Sequence, residues 1–356
     1  MTIKLDFSWV LLPLLLCLAT YSSFAAYDPD VDSEDEDFEH AFELQFNDAP
    51  VARDLQHPAW FKESFLDLRD DLEEARQQGK KGIALYFGQK HCAYCKALLE
   101  INLTKHDIAG YVQENYDIIA LDIWGSRILT MFDGSEISER DYSIQQNTNF
   151  TPSLIFFDAE GNLIYKMRGY YKPYRFTAMM KYIVEDFYKA ESFRDYMERA
   201  DPPPRFEETD LNEHEQFLKG PIILDRRAAP GRKPLAVMFE QQKCHACDQL
   251  HSEPLNNKKT KALLKGFELR QLDAWSQTPV ITPRGEKLTA VDWARKMNIN
   301  YTPTTIFFDE RGHEIFRIDS VVKLYRMRGI LSFILTKGYN EFNTYQQWRR
   351  YSPFER

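Results

Sequence analysis

The chain has 356 residues, 44% apolar and 14% aromatic, which is room for two filled cores and argues against disorder over most of its length. Its formal net charge of -9 excludes general nucleic-acid binding, which needs a basic face. No patterned basic stripe offsets that charge.

The first stretch, Met1 to Ala25, has the layout of a secretory signal peptide. Lys4 supplies the positive start, Trp9 to Ala19 is almost wholly apolar, and Ser23-Phe24-Ala25 offers small residues for cleavage after Ala25. The apolar run is shorter than the roughly 20 residues a membrane span needs, and Leu16 is too large for the residue before a lipidated Cys17. The mature protein is therefore expected to be exported. Residues 26–57 are dense in Asp and Glu at first, with no apolar period, and read as a solvated leader.

Folding is expected from Pro58, where Trp60, Phe61, Phe65, Leu68, Leu72 and Ala75 fall at helical spacing and Gly79 closes the helix. Gly82 to Phe87 reads as a buried strand, followed by Cys92-Ala93-Tyr94-Cys95 and a helix. A further helical stretch runs to Tyr116, then a strand Asp117–Leu121 and a polar loop. Thr151-Pro152 leads into Ser153–Phe157, the Asp158–Gly161 turn and Asn162–Lys166, a hairpin signature. A closing helix is expected over Tyr174–Lys189.

The same order returns about 151 residues later. Trp275 answers to Trp124, Thr302-Pro303 to Thr151-Pro152, Asp309 and Gly312 to Asp158 and Gly161, Lys323 to Lys172, and Tyr325-Arg326 to Tyr174-Arg175. The second dithiol, Cys244-His245-Ala246-Cys247, is offset by one residue more. A repeat of this length is a duplicated domain. The expected organisation is a first domain at 58–190, a linker at 191–233 stiffened by Pro202-Pro203-Pro204, a second domain at 234–340, and a tail at 341–356. Copy two carries Pro, Gly and Arg over Arg226–Pro234 where copy one has its amphipathic helix, so its core must lean on copy one or on Leu211–Leu224.

Without the signal peptide only four cysteines remain, in two close pairs. Structural disulfides of exported proteins usually join distant cysteines, so such pairs point to exchange chemistry.

The order strand, CxxC, helix, strand, Thr-Pro, hairpin, helix resembles the thioredoxin fold over Pro58–Tyr188 and Pro234–Lys337. The resemblance implies an α/β protein of two tandem thioredoxin-like domains, each a central mixed sheet flanked by helices. Trp60–Leu66, Cys92–Cys95, Leu121–Gly125 and Phe132–Gly134 are similar, more narrowly, to SoxW-type periplasmic thioredoxins. That likeness implies Cys92 and Cys244 as nucleophiles and Cys95 and Cys247 as resolving thiols. It also implies Pro152 and Pro303 as cis-prolines that, with Thr151 and Thr302, border the substrate groove. A cysteine at a helix N-terminus independently has its thiolate favoured.

Two positions depart from the family's pattern. Where it has a buried carboxylate and a tryptophan before the first cysteine, this chain has Tyr86 and His91, and in copy two Met238 and Lys243. Positive charge from Lys90, His91 and Lys96, and from Lys243 and His245, is the alternative means of lowering the thiol pKa, against plain surface solvation. Arg168-Gly169 is replaced by Asp319-Ser320 in copy two, which suggests differently tuned sites.

The expected function is a periplasmic thiol–disulfide oxidoreductase that reduces protein disulfides without a cofactor. The resemblance implies recharging by a membrane thiol carrier of the DsbD/CcdA type. Isomerase or oxidase action is the near alternative. A zinc or copper site shared by the four thiolates suits thiolate chemistry, but structural zinc pairs lie far closer in sequence. A binding module without catalysis is the third reading, against which both dithiols are intact.

Overall fold

The computed structural model describes residues 46–148, 150–200, 211–242, 244–320 and 322–351. The expected signal peptide, most of the acidic leader, the linker prolines, Lys243 and the side chain of His245 lie outside what is described. No helix among the described residues is long and apolar enough to cross a membrane.

Copy one begins with α1, Leu68–Gln77. The helical spacing from Trp60 is not used as helix before Leu68. The Lys62 N–H instead bonds the Ile118 carbonyl, Lys62 bridges Ile119, and Phe65 stands fully exposed. Asp67 caps α1 by accepting from the Arg69 N–H, and Gly79 at φ +75 ends it.

The main sheet has the order β2-β1-β5-β6, from Tyr116–Asp122, Gly82–Gly88, Ser153–Asp158 and Leu163–Arg168. β1 is parallel to β2 and antiparallel to β5, so the sheet is mixed. The dithiol opens α2, Ala93–Ala97, which continues as a π-turn to Asn102, and α3 spans His106–Asn115. The segment read as a polar loop holds a hairpin, β3 Ile128–Thr130 with β4 Glu136–Ser138, and α4 Glu139–Gln145. The hairpin turn between β5 and β6 forms around Asp158, whose carboxylate accepts from the Glu160 and Asn162 N–H groups. Helix α5, Pro173–Val184, closes copy one and is shorter than the spacing predicts.

The segment read as linker is not all linker: it carries α6, Phe193–Ala200, and β7, Ile222–Ile223. Copy two repeats the sheet as β9-β8-β12-β13, from Glu268–Asp273, Leu235–Glu240, Thr304–Phe308 and Glu314–Ile318. Its helices are α7 His245–Leu250, α8 Lys258–Leu264, α9 Ala290–Lys296 and α10 Leu324–Leu335, and β10 Pro279–Ile281 pairs with β11 Lys287–Thr289. The helix missing from its start is replaced by Leu211–Leu224: β7 pairs with β10, and Phe217 bridges Leu269.

Strand β8 shows why the strands read as continuous apolar runs. Ala236 and Met238 enter one core cluster, with Leu264, Phe307 and Ile330 of the flanking elements. Leu235, Val237 and Phe239 enter the cluster on the other face, with Trp293 and Ile306. Period-two alternation with both faces covered leaves no polar position to mark the pleat.

The copies form one compact unit from Asn47 onward. Their contact is reciprocal. Arg326 lies over the Phe150 ring at 4.6 Å, and its counterpart Arg175 lies over Tyr301, the counterpart of Phe150, at 5.0 Å. At the centre of the seam Arg168 pairs at 2.8 Å with Asp319, its own equivalent 151 residues on. This is the isologous geometry of a symmetric dimer, built within one chain. The tail helix α11, Tyr345–Tyr351, buries Tyr345 and Trp348 in the core of copy two.

Candidate functional site

Each CxxC follows a fully buried strand, and the chain must leave the sheet there to start a helix. Cys92 and Cys244 are the N-cap residues of α2 and α7. Their sulfurs accept from the N–H of Cys95 at 3.0 Å and of Cys247 at 3.1 Å. Such an N–H, with the helix dipole behind it, favours a thiolate at the first cysteine. Both pairs are closed as disulfides, Cys92–Cys95 and Cys244–Cys247. Cys92 is only 5% exposed and Cys244 7%, while Cys95 and Cys247 are fully buried. The first sulfur of each pair is thus not presented on a free surface.

The peptide bonds Thr151–Pro152 and Thr302–Pro303 are cis. Cys92 Sγ lies 3.4 Å from Thr151 Oγ1 and 3.8 Å from the Thr151 carbonyl, and Cys244 Sγ lies 3.8 Å from the Thr302 carbonyl. Threonine, proline and dithiol therefore converge in both copies. Gln89 and Gln241, which the sequence reading did not single out, tie the sites together. Gln89 receives the Trp124 indole N–H at 3.0 Å and donates to Thr151 Oγ1 at 2.8 Å. Gln241 accepts from both the Trp275 indole and Thr302 Oγ1. Asp122 and Asp273, which repeat between the copies, accept from the N–H of Trp124 and Trp275 as structural loop bonds.

The cationic residues near the first dithiol have partners. Lys90 Nζ is 3.1 Å from the Asp54 carboxylate, and His91 Nδ1 meets the Val51 carbonyl at 2.8 Å. Lys96 Nζ lies 3.7 Å from Glu100. At Tyr86, where the family's pattern has a carboxylate, burial pushes the phenol well above its ordinary pKa.

Copy two holds a buried carboxylate the sequence reading missed. Glu240, at the end of β8, is held by His251 Nε2 at 2.9 Å and by the Gln271 amide at 3.0 Å. The equivalent strand position in copy one is Gly88, where β1 ends.

The seam runs directly beside the first dithiol. Tyr94, inside the motif, donates its hydroxyl to buried Asp48 at 3.0 Å and accepts from the Lys323 N–H at 2.8 Å. Burial holds that phenol well above its usual pKa, with the Asp48 charge adding to it. Arg326 stacks on the Tyr94 ring at 3.8 Å and donates from Nη2 to the Thr151 carbonyl at 3.0 Å. Burial lowers its pKa from the ordinary value. The contrast of Arg168-Gly169 with Asp319-Ser320 is thereby placed at the seam: it makes the central ion pair and lets the Ser320 side chain lie against Gly169. Among the described residues no three His, Cys, Asp or Glu side chains converge as a metal site needs.

Comparison with known proteins follows the same lines. A thioredoxin-fold protein from Helicobacter pylori is 21% identical, with a TM-score of 0.30, over 34% of this chain and 80% of that one. A thioredoxin from Thermus thermophilus is 21% identical, with a TM-score of 0.24, over 30% and 76%. A DsbH oxidoreductase is 17% identical, with a TM-score of 0.25, over 38% and 95%. Among curated proteins none matches. The profile of the Thioredoxin-like domain matches residues 68–184 and again 225–335. Fold and dithiols together support thiol–disulfide oxidoreductase chemistry in general. With a match spanning each dithiol, the chain belongs to the thioredoxin-like domain family, as two copies in tandem.

Proposed function

We propose that the chain reduces protein disulfides in the periplasm, with Cys92 and Cys244 as attacking thiols, Cys95 and Cys247 as resolving thiols, and a membrane thiol carrier of the DsbD/CcdA type as the source of reducing equivalents. The carrying observation is the N-cap geometry: the sulfur of Cys92 accepts the Cys95 N–H and lies against Thr151. The narrower likeness to SoxW-type thioredoxins supports the direction of reaction.

In this reading the Cys92 thiolate attacks one sulfur of the substrate disulfide, forming a mixed disulfide and releasing one substrate thiolate. Cys95 gives up its proton and attacks Cys92 Sγ, which releases the second substrate thiol. Two electrons leave the chain, and the dithiol ends as the closed Cys92–Cys95 pair, so an external dithiol must reopen it. Positive charge from Lys90, His91, Lys96, Lys243 and His245 would favour the thiolates further.

The test is trapping. Cys95→Ser should accumulate a mixed disulfide with substrate, and Cys92→Ser should not, as read by non-reducing gels and mass spectrometry of cells expressing either variant. Trapping by neither variant would count against exchange at copy one. Intact mass after acid quenching and alkylation gives the direction, since a reductase is held with four free thiols.

A further inference from the structure

The two copies match position by position, so the places where their recesses differ bear on what each accepts. Each copy is followed by a short helix that caps the tryptophan of the other. Helix α6 lays Arg194 on Trp275 at 4.1 Å, and α11 lays Arg350 over Trp124 at 4.8 Å. The helices begin alike: the Asp195 N–H donates to Ser192 Oγ, and the Gln347 N–H donates to Thr344 Oγ1. In that alignment Met197 and Glu198 stand where α11 has Arg349 and Arg350.

The recesses they wall are unequal. The first, about 670 Å³, includes Cys92 in its lining and is walled by Arg326, Arg349 and Arg350. The second, about 140 Å³, is lined by Arg175, Arg194, Met197 and Glu198 and does not include Cys244. Among the described residues no carboxylate pairs with Arg349 or Arg350; Arg349 reaches only Gln346, at 3.5 Å, besides the aromatic faces it lies over. The carboxylates in the first lining are already engaged, Asp48 by Tyr94 and two backbone N–H groups, Asp122 by Trp124.

A second observation is independent of α11. Arg326 is 3% exposed and lines the same recess, and its Nη1 is buried with no hydrogen-bond partner. A buried guanidinium N–H without an acceptor is costly and uncommon. Its Nη2 already holds the Thr151 carbonyl beside Cys92, so an acceptor at Nη1 would sit next to the reacting sulfur.

We propose that the first dithiol is specific for disulfides that carry carboxylates beside the sulfur, held by Arg326, Arg349 and Arg350. The recess is within the size range of small-ligand sites, about 300–1,000 Å³, so it takes a few residues around a substrate cysteine or a small acidic disulfide. Arginine suits the task because its planar fork matches a carboxylate. The proposal rests on the exchange reading above, and its test separates the two.

The experiment uses the full chain with Cys244→Ser and Cys247→Ser, so that only copy one exchanges, reduced with dithiothreitol and then freed of it. Single-turnover rates are measured with three cyclic disulfide peptides of one length, whose cystine is flanked by Glu, Gln or Lys, and with glutathione disulfide. At low ionic strength the Glu peptide should react about tenfold faster than the Gln peptide, with the Lys peptide slowest. The preference should shrink with added salt. Arg349→Gln together with Arg350→Gln, both outside the core, should bring the Glu-to-Gln ratio close to one. Glutathione disulfide reacting as fast as the Glu peptide supports a small acidic disulfide as the source of the carboxylates, and slower reaction supports a peptide. Equal rates for the three peptides, or a preference that survives the arginine substitutions, would overturn the proposal. Reduction of none of them would instead overturn the exchange reading itself.

Discussion

Asp48 shows how one side chain ties two copies together. Its carboxylate accepts from the Tyr94 hydroxyl and from the N–H groups of Tyr325 and Arg326 in the first turn of α10. Those donors are orphans of a helix start, and a carboxylate there also meets the favourable end of the helix dipole. Asp48→Ala should cost about 2–3 kcal/mol by leaving buried donors unpaired. Urea unfolding of the two proteins at equal pH measures it, and unchanged stability would remove Asp48 from this role. The sequence placed Asp48 in a solvated leader, because a lone aspartate in an acidic stretch carries no local sign of a partner more than 270 residues away.

At the scale of elements, α1 separates what spacing can determine from what it cannot. Leu68, Leu72 and Ala75 are buried as the helical period requires, but Trp60–Phe65 shares the period without being helical. Backbone pairing of Lys62 with Ile118 and Ile119 takes those residues, and Asp67 fixes where the helix starts. Hydrogen bonds from Arg69, the side chain first and the N–H after it, hold the Asp67 carboxyl down at about 2, against 3.8 ordinarily. A carboxyl with a lowered folded pKa stabilises the fold above its unfolded pKa and loses that contribution as pH falls through the folded value. Asp67→Ala should therefore cost about 1 kcal/mol near neutral pH. The difference from the parent should shrink between about pH 4 and 2, as the parent begins to lose the charge. Solvent screening at this exposed cap keeps the charge part small. Denaturation midpoints across that range check it, and a gap that stays constant to pH 2 would mean the charge is not what caps α1.

For the whole molecule, the governing feature is the seam. Gly169 has φ +79, and a Cβ there would lie 2.0 Å from Ser320 Oγ of the other copy. Gly169→Ala should destabilise the chain by about 2–4 kcal/mol, through positive φ and collision together. Adding Ser320→Gly should recover the collision part only, a coupling expected of residues in contact. Because the copies form one compact unit, calorimetry should show both losing stability together, and a transition confined to one copy would oppose this.

The sequence alone determined what is local or repeated: both dithiols, the Asp-Gly hairpin turns, the Thr-Pro pairs and the duplication, since each is set by neighbouring residues or by self-comparison. Only the tertiary structure decided that the copies close on each other, that Tyr94 and Arg326 belong to the first site, and that the two recesses differ in size and in whether a dithiol lines them. Those facts depend on side chains up to 278 residues apart, and pairing across such distances is selected by packing and by the cost of unpaired buried polar groups, which leave no periodic trace in the chain.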